Sequence, residues 1–466
     1  MIKGRILDFL FSNRLTALLF ILYPSAMAVG TFIESWYSTD TAKIWIYNAW
    51  WFEFLMLLMG INFIGNIFKY RLLRKEKWAV LLLHISFLMI LTGAFITRYI
   101  GYEGVMPIRE GATENEILSE KTYLTVLIDG EINGELRRKK LEDDLLLSEH
   151  VNNQFEWSSD FNSQPFQINY VDYIENVTEG LVLDDKGNRY LKIVEAGDGT
   201  RHDHYIKEGE IANIHNILFT LNSYQSGAIN ITLKDGLYSI NSPFSGEFIR
   251  MSDQFRGNLK SDVETPLQFR SLYSIPNFQF VIPEPALRGK LDIVKADTQG
   301  ESIQNALCLE LQSNGESQSI TLLGGKGITN NPKKASVGGL DFYLKFGSLP
   351  IKLPFALKLD DFIAEKYPGT EKSYSSFMSK VRVEDTESFD YDIYMNHVLD
   401  HKGYRFFQAS FNPDEKGTIL SVNHDWWGTY ITYFGYIFLY LSMIGIFFVG
   451  KTRFQDLSKA LDKIKK

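Results

Sequence analysis

The sequence predicts a membrane protein with four transmembrane α-helices and a large, mostly β domain between the third and fourth helices. The apolar residues of this 466-residue chain are concentrated in roughly the first hundred and the last forty positions. The segment between them has the mixed polarity of a water-exposed domain. The predicted boundaries are residues 1–98 for the N-terminus and helices one to three, 99–427 for the β-rich domain, 428–450 for helix four and 451–466 for a basic tail.

Four apolar runs are long enough to cross a membrane, because about 20 helical residues span its ~30 Å hydrocarbon core. They cover residues 15–33, 50–68, 78–96 and 430–449. The first run has a second interpretation, since it follows basic residues and ends in Ala26-Met27-Ala28, a pattern typical of a cleaved signal peptide. We favour a membrane anchor, because the apolar run continues through Phe32 and Ile33.

Lysine and arginine residues predict the orientation, because short cytoplasmic segments carry an excess of them. With four spans, the N-terminus, the segment KYRLLRKEK at 69–77 and the C-terminal tail lie on one side of the membrane. Together they hold fourteen basic and four acidic residues, although the whole chain has a net charge of −8. We therefore expect this basic side to be cytoplasmic and the large domain to lie outside, with Trp426 and Trp427 at the outer interface.

The large domain is predicted to be mostly antiparallel β structure, either sandwich-like or a partly open barrel. Short runs rich in β-branched and aromatic residues, such as YLTVLIDG and FQINYVDYI, recur between residues 99 and 424. Turn signals such as DDKGNRY and KDG separate them.

Cysteine usage excludes several functions. Cys308 is the single cysteine of the chain, so it has no C-x-x-C dithiol, no C-x-x-C-H haem attachment motif and no cysteine-based zinc site. The G-x-S-x-G, H-E-x-x-H, P-loop and Rossmann motifs are also absent from the sequence. We therefore assign no catalytic residue to this chain.

Two histidine pairs in the large domain have spacings that metal sites use. His202 and His204 in RHDHY would lie on one side of a strand, although we favour a polar turn that follows GDGT. His397 and His401 in HVLDH would share a face if the segment were helical. A metal site needs further ligands, so neither pair is sufficient by itself.

The sequence His424-Asp425-Trp426-Trp427 lies where the large domain enters the fourth span. It is interpreted either as an interfacial aromatic belt with a polar cap or as a ligand or docking surface at the membrane face. His397, His424, Trp426 and Trp427 are the candidate residues of this outer face.

His84 is the one histidine within a predicted span, and an ionisable residue there suggests function. Its neutral imidazole keeps a lone pair that can bind haem iron, and Lys75 and Lys77 lie at a depth that suits contacts with haem propionates. The alternatives are a hydrogen bond to Asn62 or Asn66 of the second span, or a proton relay. A six-coordinate haem bound by two histidines would need a second chain or a repeat of this one.

Four segments resemble the ResB/CcsB family of System II cytochrome c biogenesis. They are FLFSNRLTALLFILYPSAMAVGTFIE at 9–34, YNAWWFEFLMLLMGINFIGNIFKYRLLRKEKW at 47–78, GYEGVMPIREG at 101–111 and MNHVLDHKGYRFFQASFNPDEKGTILSVNHDWWGTYITYFGY at 395–436. The order of three spans, a β-rich domain and a fourth span also resembles that family. In many of its members this half is fused to a CcsA-like half.

The resemblance implies a function. Within the family, the third span carries a histidine that ligates transmembrane haem, and His84 occupies that position here. The chain would carry haem b across the bacterial cytoplasmic membrane with a CcsA-like partner and present it for attachment to apocytochrome c on the periplasmic side. Its CcsA-like partner would hold most of the catalytic site of the holocytochrome c synthase complex.

The implied partners are the CcsA-like protein, apocytochrome c, a thioredoxin-like thiol reductant and membrane lipids, with no role for nucleic acid. The competing interpretation is a membrane-anchored scaffold or ligand-sensing module with no haem role. In a scaffold of that kind, the loss of His84 would remove the packing of its side chain and would have no other effect.

Overall fold

The helices of the chain group at its two ends. The computed structural model describes residues 2–132, 135–195, 201–276, 278–296, 304–370, 373–412, 414–448 and 453–464. Its helices are α1 (Ile2–Leu10), α2 (Asn13–Trp36), α3 (Thr39–Ala42), a π-helical turn (Lys43–Tyr47), α4 (Trp50–Lys69), a 3-10 turn (Lys75–Lys77), α5 (Trp78–Tyr99), α6 (Trp426–Phe448) and α7 (Arg453–Ile464).

Four of these helices, α2, α4, α5 and α6, are long and apolar enough to cross a membrane. The predicted fold class, four such helices with a large β domain between the third and the fourth, is confirmed. Helix α2 begins earlier than predicted, because the Ser12 side chain accepts a hydrogen bond from the Leu15 amide and caps the first turn. It then continues without a break through Ala26-Met27-Ala28.

The β domain consists of twenty-five strands within the described residues. They are β1 (Tyr102–Arg109), β2 (Thr113–Ile132), β3 (Glu135–Asp144), β4 (Glu156–Phe161), β5 (Gln164–Glu195), β6 (His202–Lys207), β7 (Ile211–Ile214), β8 (Ile217–Leu221), β9 (Ile229–Lys234), β10 (Leu237–Asn241), β11 (Gly246–Arg250), β12 (Arg256–Leu259), β13 (Thr265–Pro266), β14 (Ser271–Ile275), β15 (Phe278–Val281), β16 (Leu287–Lys295), β17 (Gln304–Ser313), β18 (Glu316–Gly324), β19 (Lys333–Val337), β20 (Leu340–Lys366), β21 (Tyr374–Glu384), β22 (Phe389–Tyr394), β23 (Leu399–His401), β24 (Tyr404–Phe411) and β25 (Gly417–His424).

These strands form three sheets. The first has the order β22-β21-β20-β2-β1-β25-β24-β23, with β19 on β20 and β3 on β2. The second has the order β13-β10-β9-β8-β7. The third has the order β12-β11-β14-β15-β5-β17-β18, and β4, β6 and β16 also pair with β5. Neighbouring strands are antiparallel except for β8 and β9, so the predicted antiparallel character is confirmed.

Apolar faces of these sheets form the core of the β domain. Leu124 and Phe342 of the first sheet share one buried cluster with Ile168 and Leu309 of the third sheet. A second cluster joins the second and third sheets, and a third fills the part of the first sheet around β1, β24 and β25. This burial is the main source of the domain's stability.

Two turn predictions have different outcomes. KDG forms the β9–β10 turn, where Asp235 and Gly236 both take positive φ. The DDKGNRY prediction is wrong, because these residues continue within β5. In this part of β5, Arg189 pairs with Arg288 of β16, and Leu183 pairs with Gly289, the next residue of β16. The residues of β5 between Leu183 and Arg189 therefore form an irregularity in the strand and not a chain reversal.

Helices α5 and α6 pack through small residues repeated every seven positions. The residues at this spacing are Ala79, Ser86 and Gly93 on α5, and Gly428, Gly435 and Ser442 on α6, and Gly445 is buried three positions after Ser442. A Cβ on Gly435 would lie 3.1 Å from the Ser86 carbonyl oxygen and 2.8 Å from Ile90 Cγ1. Small residues allow transmembrane helices to approach closely, so this seam holds the two helices together.

The seam continues into the β domain. Strand β1 follows α5, and β25 precedes α6. The two strands pair in register over eight residues, from Tyr102 with His424 to Arg109 with Gly417. The two chain crossings between membrane and β domain are therefore adjacent and fixed relative to each other.

A test of the seam compares two glycines within apolar helices. We expect Gly435→Ala to lower the free energy of unfolding by roughly 1–3 kcal/mol, because overpacking forces the helices apart. Gly60→Ala in α4 is the control, since its Cβ would meet nothing nearer than Leu91 at 3.9 Å. Thermal unfolding in detergent measures both, and equal melting temperatures would contradict the close approach.

Candidate functional site

A groove between three helices surrounds His84. It has a volume of about 300 Å³ and lies among α2, α4 and α5. Its lining residues are Asn13, Thr16, Ala17, Phe20, Phe63, Asn66, Leu83, His84 and Phe87. Phe63 and Asn66 are buried, whereas Asn13, Ala17 and Phe20 are exposed, so the groove is open on the α2 side.

The hydrogen bond of His84 leaves one ring nitrogen available. His84 Nδ1 lies 2.8 Å from the Val80 carbonyl oxygen, one turn earlier in α5. Because a carbonyl can only accept, Nδ1 carries the proton and donates it, and Nε2 keeps its lone pair. Metal-binding histidines use this arrangement, in which a backbone carbonyl fixes the tautomer and the orientation of the ring.

Aromatic side chains form one wall beside His84. The Phe63 and Phe87 rings stack at 5.1 Å between centroids, and the edge contact of Phe63 with His84 is 5.6 Å. These contacts hold the imidazole in place and make its surroundings apolar. A flat apolar ligand with a metal at its centre fits such surroundings.

Asn62 and Asn66, the alternative partners for His84, instead connect α4 to the start of α2. Asn62 Nδ2 donates to the Leu10 carbonyl at 2.6 Å, and Asn62 Oδ1 accepts from Thr16 at 2.6 Å and from Asn66 Nδ2 at 3.0 Å. Within the described part of the chain, Asn66 Oδ1 is buried without a hydrogen-bond partner. An unpaired acceptor therefore lies in the wall of the His84 groove.

Lys75 and Lys77 lie in the 3-10 turn just before α5, at the same end of the helices as the groove. The Lys77 ammonium donates to the Tyr70 carbonyl at 2.6 Å, and Lys75 is exposed. Neither residue lines the groove. Their predicted role as propionate contacts remains a prediction.

Two adjoining cavities lie at the other end of the helices, next to the β domain. The larger has a volume of about 540 Å³, lies between α6 and the β23–β24 turn, and includes Arg405 and Trp426. The smaller, about 450 Å³, includes His424 and Trp427. Trp427 is 64% exposed, so an apolar surface is available there.

His424 is held between two tyrosines that sequence reasoning missed. Its ring stacks on Tyr102 at 4.7 Å and packs against Tyr404 at 4.4 Å, and the two phenol oxygens are 2.8 Å apart. Tyr102 lies in β1, more than three hundred residues before His424, so only the β1–β25 pairing brings them together. The burial of Tyr102 raises the pKa of its phenol.

Asp425 connects α5 to the start of α6. Its Oδ1 accepts from the Gly428 amide at 3.1 Å, which caps α6, and its Oδ2 accepts from the Thr97 hydroxyl near the end of α5. The polar cap considered from the sequence is therefore present. It lies between the two cavities, because Asp425 lines both.

The segment HVLDH is not helical, so the condition under which its two histidines would share a helix face is not met. His397 lies in a turn beside β22, where its Nδ1 donates to the Asp392 carbonyl at 2.7 Å and its ring stacks on Tyr391 and Tyr394. His401 lies in β23 and contacts Asp385 Oδ2 at 2.8 Å. The two rings therefore have separate partners, because the turn residues in MNHVLDHKG favour a hairpin over a helix.

Lys402 and His401 both contact the carboxyl group of Asp385. Hydrogen bonds from Lys402 and His401 hold its pKa well below the usual range. This contact fixes the β23–β24 turn that borders the larger cavity.

RHDHY forms strand β6, so the favoured interpretation as a polar turn is wrong. GDGT, the segment that was expected to precede the turn, lies outside the described residues. His204 approaches Glu195 of β5 and His215 of the β7–β8 turn, and sequence reasoning did not connect these residues.

Comparison with known proteins gives two findings. The model of the ResB-like family matches residues 333–433, from β19 into α6. The resemblance predicted from the sequence is therefore confirmed, and the matched segment contains His397, His424 and both tryptophans of the outer face.

The chain is also 25% identical over 451 residues to Protein NrfI of Wolinella succinogenes. The similarity covers 96% of this chain and 35% of NrfI, so the chain spans about a third of its relative's length. The similarity to NrfI therefore includes His84, which lies outside the segment matched by the family model.

The Asp425 cap can be tested by substitution. We expect Asp425→Ala to lower the free energy of unfolding by about 0.5–2 kcal/mol, because the first turn of α6 loses its side-chain acceptor. Asp425→Asn keeps an acceptor and should retain most of the stability. Thermal unfolding in detergent measures both variants, and an unchanged Asp425→Ala protein would show that the cap contributes nothing.

Glu103 of β1 gives a pH-dependent prediction. Burial raises its pKa to about 7, and Glu120 of β2 adds to the effect. An acid with a raised pKa in the folded chain destabilises the fold once ionised, so stability should fall as pH rises from about 4.5 through 7. We expect Glu103→Gln to flatten this slope and the exposed control Glu116→Gln to keep it. Melting temperatures between pH 5 and 8 measure the slopes, and parallel slopes for Glu103→Gln and the unsubstituted chain would contradict the assignment.

Proposed function

We propose that this chain is a membrane subunit of System II cytochrome c maturation. With a CcsA-like partner it would carry haem b across the bacterial cytoplasmic membrane and present it for attachment to apocytochrome c. The ResB-like family match and the similarity to NrfI support a role in cytochrome c biogenesis. The haem role is carried by one observation: His84 lies in an apolar groove with its Nε2 lone pair available.

The groove suits a porphyrin in its chemistry. Phe63, Phe87 and Phe20 provide apolar and aromatic surface, and His84 provides a neutral nitrogen ligand for iron. Thr16 and Asn66 add polar atoms at the same place. In this proposal His84 would hold the iron, and the phenylalanines would supply apolar contacts to the porphyrin.

The proposal requires a partner for two reasons. His84 is the one histidine among the four spans, so a second histidine ligand would come from outside these spans. The groove is also open at α2, where Phe20 is 41% exposed, so a partner helix could close it. A CcsA-like membrane protein supplies both in the proposed complex.

The proposed orientation places the basic ends of the helices in the cytoplasm, following the excess of lysine and arginine there. His84 lies six residues after Trp78, about 9 Å into α5 at 1.5 Å per residue, so haem would enter from the cytoplasmic side. The periplasmic β domain would then brace the partner's haem site. His424, Trp426 and Trp427 border the cavities available for this contact.

The chain would not perform thioether formation by itself. Its single cysteine, Cys308, is partly buried in β17 and cannot form an intrachain disulfide. A thioredoxin-like reductant would therefore keep the apocytochrome thiols reduced, and the CcsA-like partner would hold most of the catalytic site.

The direct test uses His84→Ala in the chain purified with its CcsA-like partner. We expect its haem content to fall at least tenfold, because the variant lacks the iron ligand. Pyridine haemochrome spectra measure the haem per complex. Added imidazole should restore part of it by occupying the space of the missing ring.

Thr92→Ala is the control, because Thr92 is an exposed polar residue of the same helix and lies outside the groove. Undiminished haem in a folded, partner-bound His84→Ala complex would contradict the proposed ligand. Normal cytochrome c maturation by that variant would favour the scaffold or sensing function instead.

A further inference from the structure

A second cluster of metal-binding side chains lies in the β domain, far from His84 in the sequence. Glu195 ends β5, His204 lies in β6, and His215 lies in the turn between β7 and β8. One ligand atom from each residue lies within 4.8 Å of the other two. Glu195 Oε1 is 3.4 Å from His204 Nε2 and 3.0 Å from His215 Nε2.

Strand register brings two of these side chains together. In the antiparallel β5–β6 pair, Glu195 is opposite His202, and Ile193 is opposite His204. Side chains alternate between the two faces of a strand, so Glu195 and His204 lie on the same face as diagonal neighbours. This placement depends on strand β6, which RHDHY forms instead of the predicted polar turn.

His215 reaches the same point from another sheet. It and Asn216 form the two-residue turn between β7 and β8, with φ of +48° and +67°. This left-handed conformation is uncommon for residues other than glycine, although histidine and asparagine adopt it more readily than most. The turn carries the His215 ring from the second sheet to Glu195 in the third sheet.

Two of the three ligand spacings suit a tetrahedral zinc ion. Zinc binds imidazole nitrogen and carboxylate oxygen at about 2.0–2.2 Å, which sets the spacing between two ligand atoms at roughly 3.3–3.5 Å. The two spacings from Glu195, 3.4 and 3.0 Å, are close to this range. The third spacing, between the two histidines, is within 4.8 Å, so their rings would move closer together to accept the ion.

The Glu195 carboxylate lies at the buried end of the cluster. Its side chain is 0% exposed, and positive charge or hydrogen bonds stabilise a carboxylate in such a place. His204 and His215 are 33% and 60% exposed, so an ion can enter from their side. Binding would replace the protons between the imidazole nitrogens and the carboxylate with the metal.

We propose that Glu195, His204 and His215 form a binding site for one Zn²⁺ ion, with water at the fourth position. Two histidines and a glutamate are a ligand set that zinc uses where a coordination position remains open. The ion joins the second and third sheets through the β7–β8 turn. The proposal does not depend on the haem role of His84.

The test uses the full chain in detergent, stripped of metal with a chelator and titrated with Zn²⁺ alone. We expect one Zn²⁺ per chain in competition with a chromophoric chelator. His204→Ala and His215→Asn should each weaken this binding at least tenfold. Asparagine is chosen at position 215 because it tolerates the positive φ of the turn.

His397→Ala is the matched control, because its ring bonds a backbone carbonyl elsewhere in the domain. It should bind Zn²⁺ like the unsubstituted chain. Zn²⁺ should also raise the melting temperature of the chain and the control, but not of the His204 or His215 variants.

Cobalt gives an independent readout of the site. Co²⁺ added to the stripped chain should produce the visible absorption of a tetrahedral ion, and the His204 and His215 variants should lack it. Equal Zn²⁺ affinity in His215→Asn and the unsubstituted chain would overturn the proposal. Failure of the unsubstituted chain to retain Zn²⁺ would overturn it as well.

Discussion

The close packing of α5 on α6 is the constraint on which the rest of this structure depends. Glycine, alanine and serine at seven-residue spacing bring the two helices together, and Asp425 fixes their ends at the β domain. Because β1 and β25 continue these helices as paired strands, the membrane part and the β domain share one rigid connection. The His424 cluster forms at this junction, since β1 supplies Tyr102 and β24 supplies Tyr404.

The two ends of the helices have different chemistry. The groove at His84 is apolar and offers one nitrogen ligand among phenylalanines. The cavities beside the β domain combine aromatic surface with charged groups such as Arg405 and Asp425. Helix α5 connects these two places, because His84 lies near its first turns and Thr97 near its last. The proposed subunit would receive haem at one side of the membrane and support haem attachment at the other. It would therefore need both the His84 groove and the cavities beside the β domain.

The sequence predicts the spans well and singles out His84 as a candidate ligand, for physical reasons. A membrane span is a local property of about twenty residues, and a histidine in such a run is visible without any tertiary information. The sites that depend on distant residues were missed. His215 joins Glu195 only through a turn from another sheet, and the α5–α6 seam appears only once the two helices are paired. The polar turn predicted for RHDHY is wrong because pairing with β5 makes this segment a strand, and pairing with β24 likewise determines the conformation of HVLDH.

The central claim is the proposal that His84 Nε2 would ligate haem iron. Replacement of the ligand tests it most directly: His84→Cys would offer a thiolate in place of imidazole, and electron paramagnetic resonance distinguishes the two ligands of ferric haem. The complex with the CcsA-like partner should change from a histidine-ligated signal to a thiolate-ligated or five-coordinate one. A fully haem-loaded His84→Cys complex with the original signal would contradict the account.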